Sequence, residues 1–491
     1  MTLEGQQIEG MSRLLDIEDT PLSDPETYFD EKGRFLASKL AQDMVHYLTI
    51  ITVTETDEIY SWCNGYYVGG SSGENRIRSV LRTILGDKLL KVTHHEINEL
   101  VNQVRLWSYQ PYSIFTTNLG SLPLLNGVLD IETRELEPYG DLRHYFDFQL
   151  PVSYDKEADC SKFKQFVSQV VYPADVLVVQ EIFGYCLWGE GLASIKKAIM
   201  LLGAGDNGKS LLLSVLVSLL GQRNVAAKTL VSLAENRFAS AGLRGKLANI
   251  NPDLPDRALR ETGQFKGLTG DDLVPYEIKH GGSGEFFNQA KLIFSTNKLP
   301  DTQDDTDGYY TRWVILNFPY QFVRGKDNLS EHERPAKNKN KLKADLTNPQ
   351  ELSGILNWAL EGQRRLQTNG CFSNEISIDK MRDNYVRLAN SLKAFVIDRC
   401  VLTSKVEDYE SREEFYLAYS DYCTVRQLVP FKKEKIGRVL TDYYPGKISG
   451  GRDYVGKDRV TTWRGIHLKT DEERACAEDQ KTLDQTGEML E

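Results

Sequence analysis

Eight residues, Gly203-Ala-Gly-Asp-Asn-Gly-Lys-Ser210, fit the spacing G-x-x-x-x-G-K-[ST]. That combination holds a polyphosphate. Backbone N–H groups of such a loop and of the helix after it cradle phosphate oxygens, Lys209 reaches the β- and γ-phosphates, and the Ser210 hydroxyl ligates Mg²⁺. Gly203, Gly205, Asn207 and Gly208 complete the expected nucleotide contacts, with ATP and Mg²⁺ as cofactors. A chance Gly-Lys-Ser loop would lack the flanks seen here. The run from Lys196 to Gly221, KKAIMLLGAGDNGKSLLLSVLVSLLG, reads as a buried strand, the loop and a helix.

Hydrolysis needs an acid and a way to orient water. LRGKLANINPD, Leu243 to Asp253, reads as a short apolar strand ending in polar groups, so Asp253 is expected to hold Mg²⁺ or polarise the attacking water. Asp256 stands close enough to share that work, although a solvated loop acid is its better reading. AKLIFSTN ends in Asn297, placed either to orient water at the γ-phosphate or to cap the turn NKLP. In DDTDGYYTRWVILNFP, Arg312 precedes another apolar strand, where a guanidinium projected from a neighbouring subunit would stabilise transition-state charge. Such an Arg alone is usually a surface ion pair.

Two other groupings deserve a chemical reading. In TGDDLVPYEIKHGGSGEFF a hairpin would carry Lys279 and His280 near its tip, where both can reach backbone phosphates of DNA independently of sequence. Asp130 and Glu132 in LDIET have the spacing of a two-metal site, with His144 nearby. Alternating Leu129 and Ile131 with outward acids before a turn is ordinary strand patterning, and that reading is preferred.

The elements that must position these residues follow from periodicity. Leu36, Leu40, Met44 and Leu48 recur at helical spacing, Asn64-Gly65 separates two strand-like runs, and a further helix spans about Asn75 to Leu85 before a second hairpin signal at Asn126-Gly127. The stretch from Tyr154 to Gly191 reads as helical. HERPAKNKNKLKADL, within Arg324 to Asn348, reads as an exposed charged excursion. Further on, Ser411 and Glu414 suggest a capping box opening a helix faced by Phe415, Tyr419 and Tyr422. A second helix presents Ile436, Val439, Leu440 and Tyr443, and strand-like segments follow Pro445-Gly446. Two helices and a hairpin suggest a winged helix, with Lys432, Lys433, Lys435, Arg438, Arg452, Lys457 and Arg459 as candidate phosphate contacts.

At 491 residues the chain is too long for one core. No apolar run is long enough to span a bilayer, and the polar N-terminus carries no secretory signal, so a cytoplasmic protein in a host cell interior, without membrane partners, is expected. The seven cysteines are scattered without metal-ligand spacing, which predicts reduced thiols and no zinc. A formal net charge of -11 argues against general adhesion to nucleic acid but permits a confined basic channel.

Taken in order, GAGDNGKS, LRGKLANINPD, FKGLTGDDLVPYEIKHGG, AKLIFSTNKLP and YYTRWVILNFP resemble the superfamily 3 helicase core of phage, plasmid and poxvirus replication proteins of the primase-helicase type. The resemblance runs from about Arg34 to about Lys469. It implies an AAA+ ATPase assembling as a homo-hexameric ring on single-stranded and forked DNA, with Lys209 and Ser210 as Walker A, Asp253 as Walker B, Asn297 as sensor 1 and Arg312 as arginine finger. Lys279 and His280 match that family's DNA-binding hairpin. Many members carry adjacent acids where this chain has Asn251-Pro252-Asp253, and the primase module often found upstream is absent, so a separate primase and polymerase become candidate partners.

The expected architecture is multidomain: a mobile arm (1–29), an α+β N-terminal collar (30–150), a central α/β AAA+ P-loop ATPase domain (151–375), a C-terminal winged-helix domain (376–470) and a disordered acidic tail (471–491). The expected function is ATP-dependent DNA unwinding in replication of a mobile element. Its rivals are an initiator that uses ATP only to assemble, and a primase-helicase with a concealed primase site.

Overall fold

The structure is a computed structural model. It describes residues 21–470 and 473, except 64, 71, 140–144, 188–191, 193, 237, 253, 255–261, 278–282, 301, 303, 305, 326–327, 427, 429, 456 and 457. The protein is a multidomain α/β chain that divides into two compact units, the first formed by Met1–Leu254, Glu261–Thr296 and Arg312–Glu375, the second by Pro255–Arg260, Asn297–Thr311 and Ile376–Glu491. Among the described residues no helix is long and apolar enough to cross a membrane.

The first unit opens with α1 (Ala37–Tyr47), β1 (Ile50–Val53), β2 (Ile59–Cys63), β3 (Tyr66–Gly70), α2 (Gly73–Leu85), α3 (His94–Ser108) and β4 (Tyr109–Gln110). The strands form one sheet in the order β3-β2-β1-β4. Leu40 and Met44 bury the helical stripe read from the sequence, and β2 pairs with β3 up to Cys63 opposite Tyr66, as the hairpin signal implies. Asn64 lies outside the described residues. Within the stretch expected as a mobile arm, Leu22 and Tyr28 are fully buried and the Tyr28 hydroxyl donates to Asp43 (3.0 Å). Helix α3 is opened by a full capping box, Thr93 with Glu96. A second small sheet follows, β5 (Ser121–Leu124), β6 (Gly127–Asp130) and β7 (Leu136–Glu137), its first turn closing between Leu124 and Gly127.

Two helices, α4 (Ser161–Val170) and α5 (Val176–Tyr185), lead into β8 (Ala198–Leu202) and α6 (Lys209–Leu220). Then come β9 (Val225–Ala226), α7 (Leu230–Glu235), β10 (Ala248–Asn251), α8 (Gly263–Thr269), β11 (Leu273–Glu277), β12 (Ser283–Phe287), β13 (Lys291–Thr296) and β14 (Trp313–Asn317). Five of these strands make a wholly parallel sheet in the order β14-β8-β13-β10-β9. Strands covered on both faces must be apolar throughout, and β8, β13 and β14 are buried along almost their whole length. The unit closes with β15 (Gln321–Val323), β16 (Glu333–Pro335), α9 (Lys339–Leu346) and α10 (Pro349–Asn369). Thus part of the charged excursion is regular after all: it contains β16, which pairs in parallel with β15 just ahead of it, and α9.

Helices α5 and α10 approach backbone to backbone. A Cβ at Gly184 would lie 2.3 Å from Gln363 N, and one at Gly362 would lie 2.3 Å from Gln180 O. Glycine at these two positions is what permits the approach. Across the same seam Arg365 Nε donates to the buried Glu181 carboxylate (2.5 Å), and Gln180 Nε2 donates to Trp358 O (2.9 Å).

The second unit contains α11 (Ile378–Ala389), α12 (Ser391–Arg399), β17 (Cys400–Leu402), β18 (Tyr409–Ser411), α13 (Arg412–Val425), α14 (Lys433–Tyr443), β19 (Ser449–Val455), β20 (Asp458–Arg464) and β21 (Ile466–Leu468). Strands β18, β20 and β19 form an antiparallel sheet. Phe395, Phe415, Tyr419, Ile436, Leu440 and Trp463 share one core. The expected capping box does not close. Ser411 Oγ accepts from Glu413 N (3.3 Å), while Ser411 N is turned to its neighbour Glu410 (3.1 Å), so the hydroxyl alone caps α13.

Candidate nucleotide-binding site

Strand β8 ends at Leu202, and its two neighbours end beside it, Thr296 of β13 on one side and Asn317 of β14 on the other. The loop Gly203–Gly208 therefore leaves the sheet between two fixed strand ends. Gly203 N donates to Thr296 O (3.2 Å) and Phe318 N to Leu202 O (2.8 Å). Gly208 caps α6 at φ +93°, and a Cβ there would meet Val170 Cγ1 at 2.6 Å. Backbone shape thus requires glycine at the loop's last turn. The N–H groups at the start of α6 lie beyond the reach of intrahelical acceptors, which leaves the helix N-terminus competent to bind an anion.

Lys209 is 6% exposed, and its ammonium donates to Gly203 O (2.5 Å) and Asn207 Oδ1 (3.2 Å). Asn207 Nδ2 is buried and has no partner among the described residues, while Ser210 is exposed in the first turn of the helix. A buried cation, an orphaned amide donor and an exposed hydroxyl around one loop fit a nucleotide polyphosphate with its magnesium ion. Burial pushes the Lys209 ammonium down to about 8. The sign follows by linkage. Between about 8 and 10.5 the unfolded chain keeps a proton that the folded one releases, so this group favours folding as pH rises through that window. Anion binding favours the protonated form. ATP affinity should therefore fall as pH rises above about 8, by up to about ten-fold per unit, which calorimetric titrations on both sides of that pH will measure.

The remaining expected site residues are distributed as follows. Asp253 and Asp256 lie outside the described residues. The chain on either side of Asp253 is placed: Asn251 ends β10 with a buried Oδ1 that has no partner among the described residues, and Leu254 N donates to Ser295 O of β13 (3.0 Å). Asn297 directly follows Thr296 and belongs to the second unit. Arg312 stands at the opposite end of the sheet from the loop, since its carbonyl accepts from Ala198 N (2.6 Å) where β8 begins. Four residues of strand rise separate that end from Leu202, roughly 13 Å. Arg312 Nε donates to Lys266 O (3.3 Å), and burial lowers its pKa.

Strands β11 and β12 pair antiparallel up to Glu277 opposite Ser283. Lys279 and His280, expected at the tip between them, lie outside the described residues. Strand β11 of this hairpin is held near its turn by Arg244, which nothing local in the sequence marks. Its guanidinium lies over the rings of Tyr112 (4.9 Å) and Tyr276 of β11 (5.7 Å), and it pairs with Glu58 in the turn between β1 and β2. Ser240 Oγ adds a bond to Pro275 O (3.0 Å).

Asp130 is committed elsewhere. Its Oδ1 accepts from Thr133 N (2.7 Å), Glu132 N (3.0 Å) and Thr133 Oγ1 (3.0 Å), which closes the turn after β6. These bonds, foremost that from Thr133 N–H, hold its carboxyl below the usual range. His144 lies outside the described residues, and among those described no cluster of three or more His, Cys, Asp or Glu side chains could hold a metal.

In the second unit, Lys432, Lys433, Lys435 and Arg438 are exposed on or beside α14, as are Arg452 and Arg459 on the hairpin; Lys457 lies outside the described residues. Lys433 pairs with Glu413 (3.2 Å) and Arg438 with Asp442 (3.6 Å).

Residues 41–171 match the model of a family described as D5 N terminal like, and residues 201–312 that of a family of unknown function, DUF5906. No curated protein matches the chain. Among solved structures, the apo structure of NrS-1 C terminal region (305-718) is similar over 85% of this chain and 96% of its own, at 10% identity and a TM-score of 0.44. An A form of the same apo region is similar at 10% identity and a TM-score of 0.41, over 84% of this chain and 95% of its own.

Proposed function

We propose that this chain is an ATP-hydrolysing DNA helicase of the superfamily 3, AAA+ type, acting in the replication of a phage, plasmid or other mobile element. The observation that carries the reading is the loop Gly203–Ser210, set between the ends of three parallel strands with Lys209 buried against it. The D5 N terminal like match ahead of that sheet supports a replication role.

Bound ATP with Mg²⁺ would supply a phosphoryl group open to in-line attack by water. The chain's own residues do the rest. Lys209, Asn207 and the α6 N-terminus would hold the phosphate chain, and Ser210 with Asp253 would hold the metal. Asp253 polarises water, and Asn297 orients it. Arg312, at the far end of the sheet from its own loop, serves a neighbouring subunit in a homo-hexameric ring. Lys279 and His280 grip DNA at the tip of the β11–β12 hairpin. The second unit's α12–α14 with the β19–β20 hairpin works as a winged helix whose exposed cations meet DNA phosphates, as Lys433 and Arg438 still can because exposed ion pairs hold weakly.

Strand displacement tests this. The purified chain should unwind forked DNA only with ATP and Mg²⁺, and neither Lys209→Ala nor Arg312→Ala protein should do so. Mixing the two inactive proteins should restore hydrolysis at interfaces pairing an intact loop with an intact arginine. ATP turnover without displacement would leave an initiator that uses ATP to assemble, and no recovery among demonstrably exchanging subunits would remove the role of Arg312 in trans.

A further inference from the structure

Two stretches of chain flank the phosphate loop and bring four ring or guanidinium groups together. On one side a Cβ at Gly208 would touch Val170, and Tyr172 follows two residues later. On the other side Phe318 N is bonded to Leu202 O and Phe322 N to Asp206 O, each at 2.8 Å, so residues 318–322 run along the loop with Tyr320 between the two anchors. The Tyr172 and Tyr320 rings meet at 6.2 Å between centroids. Pairing of β15 with β16, with Gln321 N donating to His332 O (2.8 Å), brings in the rest. The His332 ring lies 6.4 Å from that of Tyr320, and the Arg334 guanidinium stacks 4.1 Å from the Tyr320 centroid. His332 Nδ1 is buried and has no hydrogen-bond partner among the described residues.

We propose that Tyr172, Tyr320 and His332, backed by Arg334, form the subsite that takes the purine ring of the nucleotide whose phosphates occupy the loop. This rests on the reading of Gly203–Ser210 as a nucleotide site. Loop N–H groups and Lys209 recognise phosphate alone, so the nucleoside needs its own partners where it leaves the loop. A purine asks for an aromatic face and a hydrogen-bonding edge. Tyr320 supplies the face, held in place by the cation behind it. His332 Nδ1 supplies the edge: a buried nitrogen without a partner is costly in a folded chain, and a ring nitrogen or amino group of the base would relieve that cost. Tyr172, 41% exposed, forms the outer wall. The competing explanation is that the cluster only packs β15 and β16 against the sheet.

Affinities for ATP and for inorganic tripolyphosphate, measured by calorimetry on the full chain, separate these. Tripolyphosphate reports on the loop alone. Tyr320→Ala should weaken ATP about ten-fold while leaving tripolyphosphate unchanged, the usual size of one base–aromatic stacking contact. Tyr320→Phe should retain ATP binding. His332→Phe keeps a ring of similar shape but removes the nitrogens, and should weaken ATP and not tripolyphosphate, with thermal melts confirming that both variants stay folded. Equal affinity of the wild type for the two ligands, or equal weakening of both by Tyr320→Ala, would overturn the purine subsite and leave the loop assignment standing. Binding of neither ligand by the wild type would overturn the nucleotide reading itself, and this subsite with it.

Discussion

Lys209→Ala should lower ATP turnover by about 100-fold or more, the size expected when a preorganised charge facing developing phosphate charge is lost from a water-poor site. Its ammonium is nearly inaccessible and held by Gly203 O and Asn207 Oδ1, so solvent cations cannot easily replace it. The fold should survive. Alanine favours the helix that begins at this residue, and the variant removes a buried charge whose lowered pKa marks its desolvation. Steady-state phosphate release, with circular dichroism as the folding control, measures the effect. Wild-type turnover in a folded Lys209→Ala protein would sink the ATPase reading.

Gly362→Leu should destabilise the first unit by about 3 kcal/mol or more, at or beyond the upper end of ordinary overpacking. A leucine there has no rotamer that avoids α5, because the first side-chain carbon already lies 2.3 Å from Gln180 O and 2.6 Å from Gln180 C. Backbone must move, and with it the bonds from Gln180 to Trp358 and from Arg365 to Glu181. Nearby Gly370, at φ +69° with nothing within 4 Å, offers a control: Gly370→Asn should cost little, since asparagine tolerates the left-handed conformation at a helix end. Thermal unfolding of both proteins makes the comparison, and an unchanged midpoint for Gly362→Leu would mean that the two helices can part.

Much of the loop's geometry was legible because its determinants are local. A strand, a glycine-bearing turn and a helix start lie within one run, so Gly203, Gly208 and Lys209 could be read without knowing the sheet. The flanking hairpins were legible for the same reason, β2–β3 from Asn64-Gly65 and β11–β12 from the glycines after His280. What escaped was set by residues far apart in the chain. Arg244 sits in an unremarkable LRGK segment, and its meaning comes from Glu58, Tyr112 and Tyr276. His332 fell in a stretch, Arg324 to Asn348, that read as solvated surface because its charges dominate locally, and Tyr320 just ahead of it carried no reading, since β15 is drawn against the loop by a backbone bond to Asp206 that no side-chain pattern announces. Capping was misjudged at Ser411, where a spacing of three was taken for a closed box, and overlooked at Thr93, where the same spacing does close.

The Arg244 clamp has a thermodynamic corollary. Its guanidinium is shared by a turn in the N-terminal sheet and by Tyr276 of β11, one pair from the turn of the β11–β12 hairpin, so those two segments do not fluctuate independently. Anything that grips the turn around Glu58 and loosens that shared contact must change the free energy of hairpin displacement, and a ligand that displaces the hairpin must change the affinity of whatever grips the turn by the same factor. A protein docking on the N-terminal sheet would thereby alter how easily the hairpin moves without ever touching it.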